Sequence, residues 1–402
     1  MAQTWQVDYR IRLTYQSIAH SVITMRTRVA EMLGVEFPIC AFSHCRDVVA
    51  AVSNAGGFGI LGAVAHGPKR LENELTWIEE QTGGKPYGVD LLLPPKYVGA
   101  EQGGIDARQV AELLPEDHRA FVDDILVRYG IAQPAEGQSP SMPGSGGGLN
   151  VSPKGYEPLL DVAFAHDIRL IASALGPPPP DLVERAHGHD VLVAALAGTT
   201  HHARRHAAAG VDLIVAQGTE AGGHTGEVAT MVLVPEVVDA VAPTPVLAAG
   251  GIARGRQIAA ALALGAEGVW CGSVWLTTEE AETPPVVKDK FLAASSSDTV
   301  RSRSMTGKPA RMLHTAWTDE WDRPDSPEPL GMPLQTALIA EPQVRINQAA
   351  SHPGAKAGEL ATYFVGQVVG SLDRVRPTRS VVLDMVEEFI DTIGQLEALV
   401  ER

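Results

Sequence analysis

The chain has 402 residues, 45% hydrophobic and 20% charged. These are the proportions of an ordinary folded protein and exclude a largely disordered or membrane-embedded chain. Acidic residues outnumber basic ones by 48 to 32, giving a formal charge of −16, so the global field opposes an extended nucleic-acid surface and leaves room only for a local phosphate site. Three cysteines, Cys40, Cys45 and Cys271, cannot build a disulfide framework and contain no Cys-x-x-Cys pair, so a reducing cytoplasm is the expected setting.

Residues 1–24 carry no apolar core of signal-peptide length, and no stretch nears the ~18 uninterrupted apolar residues of a membrane span. They are read as an extension, a candidate for disorder, ahead of what looks like a second start at Met25. From residue 38 onward, short apolar runs suited to buried parallel strands alternate with amphipathic stretches. Strands are expected at 38–43, 57–63, 87–93, 168–175, 191–197, 211–217, 245–250 and 268–274. Helices are expected between them at 46–54, 69–80, 181–186, 200–209, 229–241 and 254–264, the last stopping at Gly265. Eight such units predict an α/β fold, a closed (β/α)8 TIM barrel over residues 25–294 rather than an open doubly wound sheet.

Two regions break the rhythm. Residues 94–167 form an insertion after strand three, holding an acidic helical stretch (106–129) and a Pro/Gly/Ser-rich tract over 133–148. That composition cannot bury enough apolar surface to order itself and predicts a mobile loop, or a lid that orders on ligand binding. Residues 295–402 hold a Pro-rich loop at 322–333 and a helical tail from Val381, expected as a C-terminal elaboration packed on the barrel.

Barrel enzymes place their active sites at the C-terminal ends of the strands and often bind a phosphate at the loops after strands seven and eight. Here those ends read Ala248-Ala-Gly-Gly-Ile252 and Cys271-Gly-Ser273. Gly250, Gly251 and Gly272 let an oxyanion approach the backbone N–H groups, the Ser273 hydroxyl adds a donor, and the helix start near Ala253-Arg-Gly would add its dipole. The alternative is that these glycines only end tightly packed strands. Strand six runs into Gln217-Gly-Thr-Glu-Ala-Gly-Gly-His-Thr-Gly226, where a histidine, His224, held among four glycines can move protons near neutral pH. By position alone it is equally an exposed loop histidine.

The segment Glu220-Ala-Gly-Gly-His224 resembles the nitronate monooxygenases, formerly called 2-nitropropane dioxygenases, and the related flavin-dependent enoyl-ACP reductases. Pro38-Ile39, Ala50-Ala-Val-Ser-Asn-Ala-Gly-Gly-Phe-Gly59, Tyr87-Gly-Val-Asp-Leu-Leu92, Ala248-Ala-Gly-Gly-Ile252 and Gly366-Gln-Val-Val-Gly370 accompany it in family order, across about residues 26–380. The resemblance implies FMN, with its phosphate near Gly222, Gly223, Gly250, Gly251, Gly272 and Ser273, and with Gln217 able to reach the ring edge. It implies His224 as the catalytic base. It extends the cofactor-facing set to Ala41, Phe42, Ser43, Asp90 and Ser173, and it suggests a homodimer.

Two departures stand out. The family's first strand usually ends in Ala-Pro-Met, whereas this chain has Cys40-Ala-Phe-Ser-His44. Its third strand usually offers an asparagine where Asp90 stands, a carboxyl that either disfavours anionic reduced flavin or has its pKa raised until it is neutral.

The expected activity is therefore oxidation of an alkyl nitronate, such as propionate 3-nitronate, by dioxygen. The alternatives are an NAD(P)H-dependent FMN reductase acting on a quinone or enoyl thioester, and a flavin-binding protein without turnover. Neither a nucleic acid nor a membrane is expected as a partner. Other motifs carry less. Gly57-Phe-Gly-Ile-Leu-Gly62 imitates a dinucleotide fingerprint but is itself apolar like a strand. His202 with His206, and His187 with His189, read as solvated helix faces without a completing metal ligand. His44 beside Cys45 is kept only as a pocket residue, since strand neighbours point apart.

Overall fold

The computed structural model describes residues 24–105, 107–132 and 150–400; all but the last residue of the expected extension over 1–24, and the tract over 133–148, lie outside them. Eight parallel strands close into a barrel in the order β1-β2-β3-β4-β5-β6-β8-β9. These are β1 (Ile39–Ser43), β2 (Phe58–Gly62), β3 (Tyr87–Leu92), β4 (Leu170–Ala174), β5 (Leu192–Ala197), β6 (Leu213–Gln217), β8 (Val246–Ala249) and β9 (Gly268–Cys271). The expected α/β barrel is thus present. Its strands are shorter than the apolar runs that announce them, because those runs extend into caps and turns. Residues 273–274, expected in the last strand, instead open a 3-10 helix (Ser273–Thr277).

Alternation along the strands builds two cores. Cys40, Phe58, Ile60, Leu170, Ala172, Ala194, Leu213, Val215, Leu247 and Trp270 fill the barrel. Their neighbours Ile39, Leu61, Val89, Ile171, Val193, Ile214 and Val269 pack against the surrounding helices. This period of two is what a barrel wall buried on both faces requires. Helix Arg28–Leu33, before β1, sends Val29 and Leu33 into the interior core and plugs the N-terminal end. Arg28 donates to Glu267 (2.8 Å), and Arg169 donates two hydrogen bonds to the Met32 carbonyl.

Helix Thr378–Glu397 packs against both helix Gly255–Ala263, which follows β8, and helix Arg46–Asn54, which follows β1. It stands in the barrel's eighth helical position, burying Val381, Val382, Met385 and Val386. Its seat is narrow: a side chain at Gly255 would lie 2.2 Å from the Met385 carbonyl and the Phe389 nitrogen. After β3 the insertion holds helices Ala107–Leu113, Glu116–Arg128 and Pro153–Ala163. The first two divide at Leu114-Pro115, where proline interrupts the run expected as one helix. A second sheet, in the order β10-β11-β7, is antiparallel and comprises β7 (Gly223–His224), β10 (Thr299–Ser302) and β11 (Ala310–Leu313). No helix among the described residues is long and apolar enough to cross a membrane.

Candidate active site

His224 is not loose in a glycine loop. As half of β7 it pairs with Ala310 of β11, and Gly223 pairs with Arg311. Two arginines hold the loop from the other face: Arg311 Nε donates to the Thr219 carbonyl (2.8 Å) and Arg301 Nη2 to the Thr225 carbonyl (3.2 Å). Gly222 is required for closeness, since a Cβ there would lie 2.8 Å from the Gly366 nitrogen. Glu220 accepts the Thr230 N–H (3.0 Å) and hydroxyl (2.8 Å) at the start of helix Thr230–Val241, so its carboxylate caps that helix.

The imidazole lies 2.8 Å, Nε2 to Oγ1, from Thr306. The threonine hydroxyl donates to the Lys308 carbonyl (3.2 Å). With its proton on that carbonyl, Oγ1 accepts from Nε2–H, the tautomer that leaves the lone pair on Nδ1. Burial, with Lys308 nearby, lowers the His224 pKa to about 4. The ring is therefore neutral at pH 7 and able to accept a proton at Nδ1.

The two glycine loops leave backbone N–H groups open at the barrel mouth. Gly250 (φ +105°) and Gly251 (φ +68°) occupy conformations that favour glycine. The N–H groups of Gly251, Ile252, Gly272 and Ser273 donate to no acceptor among the described residues, and a Cβ at Gly272 would meet nothing within 4 Å. Gln257 Nε2 donates to the Gly251 carbonyl, which fixes that peptide's direction. The helix start at 253–255 is not free, correcting the expectation that its dipole serves a phosphate. Ala253 and Arg254 donate their N–H groups to Gln257 Oε1, and Gly255 donates to Glu388. Ser273 Oγ accepts the Gly366 N–H (2.7 Å), leaving its O–H to donate.

Asp90 alternates with the helix-facing Val89 and Leu91 and pairs in register with Gly62 and Ala172, so it faces the barrel interior. It is 5% exposed, and burial alone pushes its pKa well above the usual carboxylate range. Burial thus disfavours its ionised form. Phe42 also faces inward, stacked on Trp270 with ring centroids 6.4 Å apart. Gln217 ends β6 opposite Ala249, its amide without a partner among the described residues. These orphaned donors and acceptors, with the open backbone at Gly251 and Gly272, fit a phosphate-bearing flavin.

Three other expected contacts are corrected. Ala41 packs in the outer core. Ser43 pairs in register with the outward-facing Leu61, and its Oγ accepts the Cys45 N–H. Ser173, after inward-facing Ala172, donates to the Gly176 carbonyl. Their side chains therefore serve the wall, and only their backbones are available to a cofactor. His44 donates Nδ1–H to the Gly62 carbonyl (2.9 Å). His206 is 2% exposed and donates to the Leu196 carbonyl, which overturns the solvated-face reading for that residue. Sequence reasoning missed Thr306 and His66, a buried imidazole with neither nitrogen partnered among the described residues.

The nitronate monooxygenase family model matches residues 26–388. The chain belongs to the nitronate monooxygenase family. A protein of Mycobacterium tuberculosis provisionally named a monooxygenase is 86% identical over 378 residues, covering 94% of this chain and all of that one. The nitroalkane oxidase of Streptomyces ansochromogenes is 25% identical with a TM-score of 0.74, covering 92% of this chain and 99% of that one. FabK of Thermotoga maritima is 28% identical with a TM-score of 0.68, covering 94% and 100%. Membership makes the chain an enzyme of the flavin-dependent oxidoreductase type, in a family that oxidises nitronates.

Proposed function

We propose that the enzyme holds FMN at the barrel mouth and oxidises an alkyl nitronate, such as propionate 3-nitronate, with dioxygen, using His224 as base. The observation that carries this reading is the imidazole's state: neutral, with Nε2 engaged by Thr306 and Nδ1 able to accept a proton. The N–H groups of Gly251, Ile252, Gly272 and Ser273 would hold the phosphate, and Gln217 and Asp90 would meet the ring system. Bound FMN supplies the electron transfer from nitronate to dioxygen. The protein's part is to orient the substrate: His224 Nδ1 would take the α proton of a neutral nitroalkane to give the nitronate, or the residue would steer a nitronate that enters already anionic. Protonated, as its burial favours, Asp90 would offer a hydrogen bond without opposing negative charge on the ring.

The purified protein should be yellow, and propionate 3-nitronate should drive oxygen uptake that His224→Ala lowers by about two to four orders of magnitude. No uptake with intact flavin would sink the reading. The likeness to FabK supports a second reading, an NAD(P)H-dependent reductase acting on an enoyl thioester or quinone. Anaerobic bleaching of the flavin by NADH or NADPH, and not by nitronate, would select it.

A further inference from the structure

Three lysines among the described residues are half-buried, Lys288, Lys290 and Lys308. The first two donate to backbone carbonyls. The Lys308 ammonium meets no acceptor among the described residues, although burial disfavours its charge. Its backbone is tied to the reaction centre: the Lys308 carbonyl accepts from Thr306 Oγ1, the oxygen that holds His224. Two residues on, Ala310 is the strand partner of His224.

The other titratable groups described at the mouth are engaged or have their charged forms disfavoured by burial. Burial lowers His224 and His66 each to about 4, lowers His44 and raises Asp90, while Glu220 is held by Thr230. Arg301 and Arg311 turn to the opposite face of the small sheet and bind the Thr225 and Thr219 carbonyls. Among the described residues, a chain of net charge −16 thus keeps an unpaired cation close enough to act on its neutral base.

We propose that Lys308 is a specificity-determining residue that anchors the anionic group of the substrate beside His224, selecting anions over neutral quinones or thioesters. The inference rests on His224 as the reaction centre and assigns the substrate's charge a partner. A cation withdrawn from water attracts a small anion more strongly than one on the surface, whereas a neutral substrate gains little from it.

Nitrate, a planar monoanion shaped like a nitro group, is the probe, titrated into the oxidised holoenzyme and followed by the flavin difference spectrum. Lys308→Gln is expected to weaken nitrate roughly ten- to a hundredfold, the loss of a charged hydrogen bond. Lys308→Arg should restore most of the affinity. In Lys308→Gln the imidazole pKa of His224, read by NMR, should also rise, because the neighbouring cation is gone. Wild-type protein that does not bind nitrate, or Lys308→Gln that binds it as wild type does, overturns the proposal. So does a Lys308→Gln protein that loses flavin, or shifts its midpoint potential with nitrate affinity intact, since the cation would then serve the cofactor. Nitrate is not turned over, so the outcome stands whether or not nitronate drives oxygen uptake.

Discussion

Removing Glu388 tests how the C-terminal helix is held in the barrel ring. Its carboxylate accepts the Gly255 N–H (2.8 Å), Arg254 Nη2 (3.0 Å) and Arg256 Nε (2.6 Å), and its side chain is 18% exposed. Loss of a side-chain cap at a helix N-terminus costs about 1 kcal/mol, and loss of negative charge there a further ~0.3–1 kcal/mol. The two arginines are 53% and 67% exposed, so screening keeps each ion pair near the bottom of the ~0–1 kcal/mol range. Glu388→Ala should therefore lower stability by roughly 2 kcal/mol. Glu388→Gln, which keeps an acceptor but not the charge, should cost about half as much. Burial alone would raise the Glu388 pKa, but Arg254, Arg256 and the Gly255 N–H override it and hold the group below the ordinary carboxylate range. A depressed folded pKa gives stability that is complete above the unfolded value of ~4.3 and lost as pH falls through the folded one. Urea unfolding followed by tryptophan fluorescence at pH 7, and again below pH 4, is the assay. A Glu388→Ala protein within about 0.3 kcal/mol of wild type, or a Glu388→Gln deficit that does not shrink in acid, would refute the reasoning.

Thr306→Val removes the acceptor that orients His224 Nε2–H, and kcat/KM for nitronate should fall about 10–100-fold at unchanged flavin content; an unchanged value would deny Thr306 this positioning role. Asp90→Asn mimics the neutral carboxyl, so flavin should remain bound. Because the folded pKa of Asp90 is raised, wild type loses stability as pH climbs above the unfolded value of ~3.9. The variant's advantage in urea unfolding should thus be larger at pH 7 than at pH 4, and a gap independent of pH would place Asp90 in an ionised state.

The barrel was legible because strands buried on both faces read as continuous apolar runs, as in Leu213–Gln217 and Val246–Ala249. The glycine loops after β6, β8 and β9 were legible for a related reason: open backbone at strand ends leaves a compositional mark. Helix Pro153–Ala163 went unread because Gly155 and Pro158 lower its propensity, while burial of Tyr156, Leu159 and Leu160 holds it in place. His206 could have been read correctly from its spacing of three from Ala203, both on the buried face of helix Thr200–Ala208. Thr306 had no such signal. It reaches His224 across 82 residues, through strands of two and four residues whose pairing no local pattern announces.

The placement of helix Thr378–Glu397 also sets a timetable. β9 ends at Cys271 and the helix begins at Thr378, so a ribosome adding ~5–20 residues per second completes the strands roughly 5–20 s before the helix starts to emerge. Until then the apolar flanks of helices 46–54 and 255–263 face water. Production of the protein is therefore expected to be sensitive to chaperone supply and growth temperature, and chains truncated before residue 378 should be bound by chaperones or degraded rather than accumulate as soluble barrels.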